Sequence, residues 1–428
     1  MKNFWGGFIP KLNKKIWLLT FGRLLSQIGS GFTLFYAPIF FVNEVGLSAT
    51  AVGIALGSGS VAGIIGRFLG GWFTDSPFWG RRGTLLLSAA VSAIADVALF
   101  FTHDFLTLIL GNLLMGLGIG LYWPATEAAV ADLSTPEQRN EAFAVTRLAD
   151  SMGLSIGVVG GGAMIASSLS YRLLFVIDGI SFVVFFALVY VAIAETYQFN
   201  EHSQSASQGW LVAFRDRPLM VFLLVNIMIT TYLSQLQSTM PLYFSNFVTT
   251  TDSVTGFSPQ LISILFSWHI VFAALTQLPI ARYLNRFSRP RVLMFSLLLW
   301  GIGFSLIWLT GNIPNLAVLT AILALSILAL AMVTYTPSAS ALVVELSPAN
   351  LRGVYLSLNS QCWAIGYLIG PPLGGLALDQ DSLVLVHGFW LLLGISVIIG
   401  IVILGYLEKI LNQSTNTDSC TNNHKQDS

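Results

Sequence analysis

Ionisable side chains are scarce in this chain: 20 Lys plus Arg, 20 Asp plus Glu and 5 His among 428 residues. Several sit inside long apolar runs, where a charge is expensive unless it is paired, hydrated or able to reach an interface. Arg23 lies in FGRLLSQIGSGF, Glu127 and Asp132 follow Tyr122 and Pro124, and Arg147 precedes Asp150 by three positions. Asp96, Asp178 and His269 each stand in apolar surroundings. Burial favours a neutral carboxylic acid, whereas a nearby cation favours the anion. An acid that gains and loses an Arg neighbour therefore binds and releases a proton. Glu127 is the first candidate for that chemistry, with Arg23 as its partner and Asp150, Asp178 and His269 as alternatives.

Plainer readings stand beside these. Arg67 and Arg147 lie close enough to a helix end to snorkel. Asp150 can pair with Arg147 on one helix face, and Glu127 can be wetted at its helix end. A lone apolar-flanked His269 reads as a hydrogen-bonded core residue. Uncharged polar residues near mid-run, Gln27, Asn112, Gln235, Gln237, Asn359 and Gln361, together with Tyr122 and Trp363, are candidates to line a cavity or to tie helices together. No metal-ligand cluster, nucleotide loop or nucleophile triad appears in the sequence, so neither metal nor cofactor is expected.

The elements that must hold these residues follow from composition. Hydrophobic residues make up 55% and charged residues 9%, against about 25% charged in soluble domains. Mean hydropathy is +0.75. A cytosolic enzyme, a disordered chain and a secreted disulfide scaffold are excluded, and Cys362 and Cys420 fall in different environments. Apolar runs of about 20 residues mark membrane helices. They are read at 16–42, 48–74, 83–101, 105–131, 142–167, 172–194, 218–245, 260–284, 292–310, 316–343, 353–378 and 383–407. The fold class is all-α and polytopic, with twelve spans in two sets of six around a central cavity. The units are residues 1–195, a linker 196–217, residues 218–408, and a polar tail 409–428 expected to be disordered. Sixteen of the 20 basic residues fall in segments on one side of these spans, which places both termini in the cytoplasm. Arg172 flanks the other side.

The two sets of six are repeats. Tyr122, Pro124, Ala128, Asp132 and Arg139 recur at one constant offset, close to half the chain length, as Tyr335, Pro337, Ala341, Glu345 and Arg352. In the next helix Gly153, Gly157, Gly161 and Gly162 recur in the same register as Gly366, Gly370, Gly374 and Gly375. Parallel repeats of this size are a mark of membrane transporters.

The segment GGWFTDSPFWGRRG, with Gly71, Asp75, Gly80, Arg81 and Arg82, resembles the loop signature of the major facilitator superfamily. Its loop is two residues longer than the usual pattern, and Ser76 stands where a basic residue normally follows. In the fourth span Asn112 replaces the family's Arg ahead of Gly116, Gly118 and Gly120. The pattern Gly366, Gly370, Pro371, Gly374, Gly375 resembles a motif that the family's antiporters carry in the fifth helix, but here it occupies the eleventh. The resemblance, over residues 10–408, implies an inner gate built from Gly71, Asp75, Gly80, Arg81, Arg82, Asp132, Arg139, Glu345 and Arg352. The glycines at 157, 161, 366, 370 and 374, with Pro371, read as close helix packing or as a hinge.

The resemblance implies secondary active transport, with proton-coupled export ahead of import or uniport. A cavity with few charges and many aromatics, among them some of the 30 Phe, would suit a small amphipathic or neutral substrate. A non-transporting sensor or scaffold on the same fold is the alternative from another class. Expected partners are the substrate, protons and the lipid bilayer, with no nucleic acid and a monomeric chain. The expected location is a cell's inner or plasma membrane.

Overall fold

The computed structural model describes residues 12–74, 76–135, 138–167, 169–196, 207–249, 256–284, 286–348 and 351–426. The first half contains α1 (Lys14–Leu34), α2 (Ala37–Asn43), α3 (Ala49–Thr74), α4 (Gly80–Phe100), α5 (Phe105–Leu133), α6 (Arg139–Ala166) and α7 (Arg172–Ala192). A short helix, α8 (Ser207–Arg215), lies in the linker. The second half contains α9 (Arg217–Gln237), α10 (Thr239–Asn246), α11 (Pro259–Leu284), α12 (Arg289–Asn312), α13 (Ala317–Leu346), α14 (Arg352–Leu378) and α15 (Leu383–Gln426).

Among the described residues, 11 helical segments are long and apolar enough to cross a membrane. Helix α14 completes the expected twelve. It runs 27 residues but carries Tyr, Ser, Asn, Gln and two prolines, which dilute its hydropathy. The first and seventh spans each break into two helices. Pro38 stands in the first turn of α2, where its missing N–H has no intrahelical partner to lose. The linker forms α8. One difference from the sequence expectation concerns the polar tail. The last helix continues to Gln426 where a disordered tail was expected. A helix already nucleated in a membrane span propagates at little further cost.

The repeat is kept at the helix ends. Leu133 and Leu346 close α5 and α13, and Arg139 and Arg352 open α6 and α14, both pairs in the register read from the sequence. Ser134 and Ser347 finish α5 and α13 in the same way, their hydroxyls donating to Ala131 O and Val344 O at 3.1 and 2.9 Å. The first helices of the halves follow a shorter offset. Gly31 packs on Gly157 as Ser234 packs on Gly370, so Gly31 of α1 corresponds to Ser234 of α9. Loop lengths absorb the difference.

Large apolar side chains such as Phe68, Trp72, Leu106 and Leu275 cover the outside of the molecule, as hydrocarbon surroundings demand. The halves meet along α3 against α14 and α6 against α11, whereas α5 and α13 barely touch. Most hydrogen bonds between the halves gather at one end, the exception being that of Arg67 on α3 to Ser360 on α14. Asn43 and Asn246 exchange amide hydrogen bonds at 2.9 and 2.8 Å. The Asp379 carboxylate accepts from the backbone N–H of Ala49 and Thr50 at 2.9 and 2.7 Å, capping α3 from the opposite half. Phe35 stacks on Phe266 across the seam with centroids 4.5 Å apart. Only small residues allow this approach: a Cβ on Gly57 would lie 2.8 Å from Leu368 O, and one on Gly375 would lie 2.7 Å from Thr50 Cα. The space between the halves therefore closes at the end that carries Asn43, Ala49, Asn246 and Asp379, and opens toward the ends of α5 and α13.

Candidate functional site

Charge in the first half collects around Trp123. Arg23 of α1 is 1% exposed and grips Asp150 of α6 with both arms of its guanidinium, Nε donating to Oδ1 at 2.9 Å. Such bidentate pairing is the strongest form of the interaction. Arg147, one turn earlier on α6, donates to Glu127 of α5 at 2.7 Å, and both are about half exposed. The Trp123 ring separates the two cations, 5.6 Å from the Arg23 Cζ and 4.9 Å from that of Arg147. Tyr122 faces Arg23 at 5.8 Å. These distances suit cation–π attraction.

Two sequence expectations are corrected here. Arg23 pairs with Asp150 rather than Glu127, and Asp150 does not pair with Arg147 although the two share a helix. Each guanidinium reaches to a neighbouring helix, because Asp150 faces α1 while Arg147 faces α5. Arg67 also has a partner, donating to Ser360 O of α14 at 3.2 Å.

The second half repeats this site without charge. Arg23 corresponds to Asn226, and Tyr122, Arg147 and Asp150 correspond to Tyr335, Ser360 and Trp363. Asn226 donates to Asn359 at 2.8 Å and accepts from the Tyr335 hydroxyl at 2.5 Å. Trp363 stacks on Tyr367 at 6.1 Å and lies tilted against Tyr335 at 6.5 Å, and Tyr367 donates to Gln237 at 2.6 Å. One fold position thus holds an ion pair in one half and an amide and aromatic ladder in the other.

Other candidates fall outside this cluster. Gln235 is fully buried and donates to Gly370 O at 2.6 Å, so it ties α9 to α14 instead of lining the open space. Tyr122 is buried against Phe185. Gln27 lies against Gly153, and the Gln361 Oε1 is buried with no partner. His269 bonds Leu325 O at 2.9 Å inside the second half. Asp178 accepts from Thr33 and Ser30 at 3.0 and 3.4 Å. Gly157 packs on Gly31 and Gly161 on Phe32, while Gly366, Gly370 and Gly374 pack on α9 and the start of α10. The Pro371 carbonyl sits against Gly53.

At the open end a second set of charges ties helix ends together within each half. Arg81 Nε donates to Asp132 at 3.0 Å, and Arg289 Nε donates to Glu345 at 3.0 Å. Glu195, just past α7, accepts from the backbone N–H of Arg81 and Arg82 at 2.9 and 3.0 Å. Its counterpart in the repeat register, Glu408, pairs with Arg291 at 2.6 Å. The sequence reading missed both glutamates, although extending the register by one helix finds them. The Arg82 guanidinium donates to Tyr190 O at 2.7 Å. Asp75 and the side chains of Arg139 and Arg352 lie outside the described residues. Nothing packs within 4 Å of a Cβ placed on Gly71.

Gly80 has a steric reason. Its φ is +60°, and an added Cβ would lie 2.7 Å from Glu195 Oε1. Gly80→Ala is therefore expected to lower thermal stability by about 1–3 kcal/mol, the scale of a strained backbone position. Melting in lipid nanodiscs checks this, and an unchanged midpoint would show that this turn accepts a Cβ without strain.

Two parallel six-helix repeats with a one-ended space between them define a membrane carrier. The Major Facilitator Superfamily model matches residues 19–251 and 244–419, and the chain belongs to that family. It is 24% identical over 369 residues to an uncharacterized MFS-type transporter, YttB, of Bacillus subtilis (strain 168), covering 85% of this chain and 88% of the relative. Multidrug resistance protein MdtH of Salmonella typhimurium is 26% identical over 371 residues, covering 86% and 88%. A Na(+), Li(+), K(+)/H(+) antiporter of Planococcus maritimus is 24% identical over 366 residues, covering 78% and 83%. Among solved structures, nucleoside transporter NupG superposes with a TM-score of 0.78 at 14% identity, covering 93% of this chain and 100% of that one. The chain is a secondary transporter.

Proposed function

We propose that this transporter exports a small amphipathic molecule in exchange for protons. The observation that carries the reading is the asymmetry of the repeated site. The second half shows that the fold accepts Asn226 and Trp363 where the first half has Arg23 and Asp150, so architecture alone does not require the charges. Glu127 and Arg147 border the open space, where protonation of the acid would release the Arg. Trp363 and Tyr367, both half-buried with Tyr335 buried behind them, offer aromatic surface and few fixed charges, which suits an amphipathic substrate. Relatives named as a multidrug resistance protein and as a Na(+), Li(+), K(+)/H(+) antiporter support the same reading. The excess of basic residues in the loops at the open end supports a cytoplasmic opening, where an exporter loads.

The test is a panel of amphipathic amines and neutral compounds in inside-out vesicles with an imposed pH gradient, with Na(+), Li(+) and K(+) as a second panel. Accumulation of an organic compound that collapses with the gradient is expected, and Glu127→Gln should reduce it at least tenfold. Movement of the cations alone would replace the drug reading with cation–proton exchange. Full gradient-driven transport by the Gln variant would remove Glu127 from coupling.

A further inference from the structure

A second group of carboxylates lies away from the space between the halves. Asp96 of α4 is 1% exposed, and both of its carboxylate oxygens are buried with no hydrogen-bond partner. It packs on α7, where a Cβ on Gly179 would lie 3.3 Å from the Asp96 Cβ and 3.9 Å from its Oδ2. Asp178, the residue before Gly179 on α7, is the neighbouring acid and is itself 2% exposed.

The surroundings supply no counter-ion. From α1 come the hydroxyls of Ser30 and Thr33, which donate to Asp178. Helix α5 contributes no charge at this level, its Glu127 and Asp132 lying toward the other end. Arg172, at the start of α7, donates to the carbonyls of Phe100 and Thr102 and lies over the Phe40 ring. His103 and Asp104 stand in the loop after α4, where Asp104 caps α5. An ionised carboxylate without donor or cation in such a place is prohibitively costly, and a group so placed neutralises instead.

The fold does not ask for these acids. Asp178 corresponds to Leu391 in the register that aligns Glu195 with Glu408, and α12, the counterpart of α4, contains no acidic residue. We propose that Asp96 is a proton-binding site, occupied at neutral pH, whose proton screens Asp178. Asp178 holds α1 one turn before its break, and the short helix beyond that break carries Asn43 of the closed seam. Deprotonating Asp96 would set two like charges against each other beneath that seam. The site is separate from the Glu127 and Asp150 cluster, and its existence does not depend on the direction of transport.

The test is infrared spectroscopy of the full-length protein in nanodiscs at mildly alkaline pH, where ordinary carboxyls are ionised. A C=O stretching band of one neutral carboxyl is expected in the wild type. It should vanish in Asp96→Asn, persist in Asp178→Asn, and reappear at a shifted frequency in Asp96→Glu. No band in the wild type would overturn the proposal. So would a band that survives in Asp96→Asn, or one lost in Asp178→Asn, which would place the proton on the other acid. The readout is independent of transport, so its failure is distinguishable from failure of the export reading.

Discussion

Asp150→Asn is expected to abolish gradient-driven transport and to lower stability by about 3–5 kcal/mol, the range for removing one partner of a buried ion pair. Arg23 would keep its charge inside the bundle with no carboxylate to answer it. The double variant Arg23→Asn, Asp150→Asn tests whether the pair serves the fold or the cycle. Its counterpart position already works with Asn226, and replacing both members of a buried pair is often neutral. The double variant should therefore regain most of the lost stability yet remain inactive. Melting in nanodiscs and transport in vesicles read the two effects separately. A double variant that transports as well as wild type would make the ion pair a structural device.

Gly375→Val should shift the molecule toward the state in which the seam between α3 and α14 is open. An added Cβ would meet the backbone of Ala49 and Thr50, and the branched side chain would extend that clash. Backbone cannot swing aside as a long side chain can. Overpacking of about 1–3 kcal/mol would change the ratio of closed to open seams by about 5–150-fold. The expected result is folded protein with greatly reduced transport. A single cysteine at Leu242, beside this seam, in a background without Cys362 and Cys420, reports the change. Its alkylation should accelerate in the Gly375→Val variant. Unchanged alkylation and normal transport would show that the seam yields without cost.

The architecture was legible because its signals are periodic and additive. Long apolar runs and the repeat at half the chain length were read without structure, and the Asp132 and Glu345 correspondence survives in matching helix ends. Partner choice was not legible. Arg147 and Asp150 are three apart on one helix, a spacing that invites pairing, but side-chain direction sends one to Glu127 and the other to Arg23. The neutral image of the charged site was hidden for another reason. Helices α1 and α9 correspond at a shorter offset than the later helices, so a single-offset comparison sets Arg23 against Leu236 and conceals Asn226. Gln235 misled because a polar residue in an apolar run satisfies a helix backbone as readily as it lines a cavity.

The Asp379 carboxylate that caps α3 belongs to the other half of the molecule, so one helix of the first repeat is finished only while the seam is shut. Opening leaves Ser48 capping Ala51 from within the same half but strips the Ala49 and Thr50 N–H groups of their acceptor, and water must take over those two. An N-cap contributes about 0.5–2 kcal/mol, enough by itself to favour the shut state several-fold. Helix fraying thereby becomes an elementary step of the working cycle, and the rate of seam opening inherits the temperature and denaturant sensitivity of a local unfolding event.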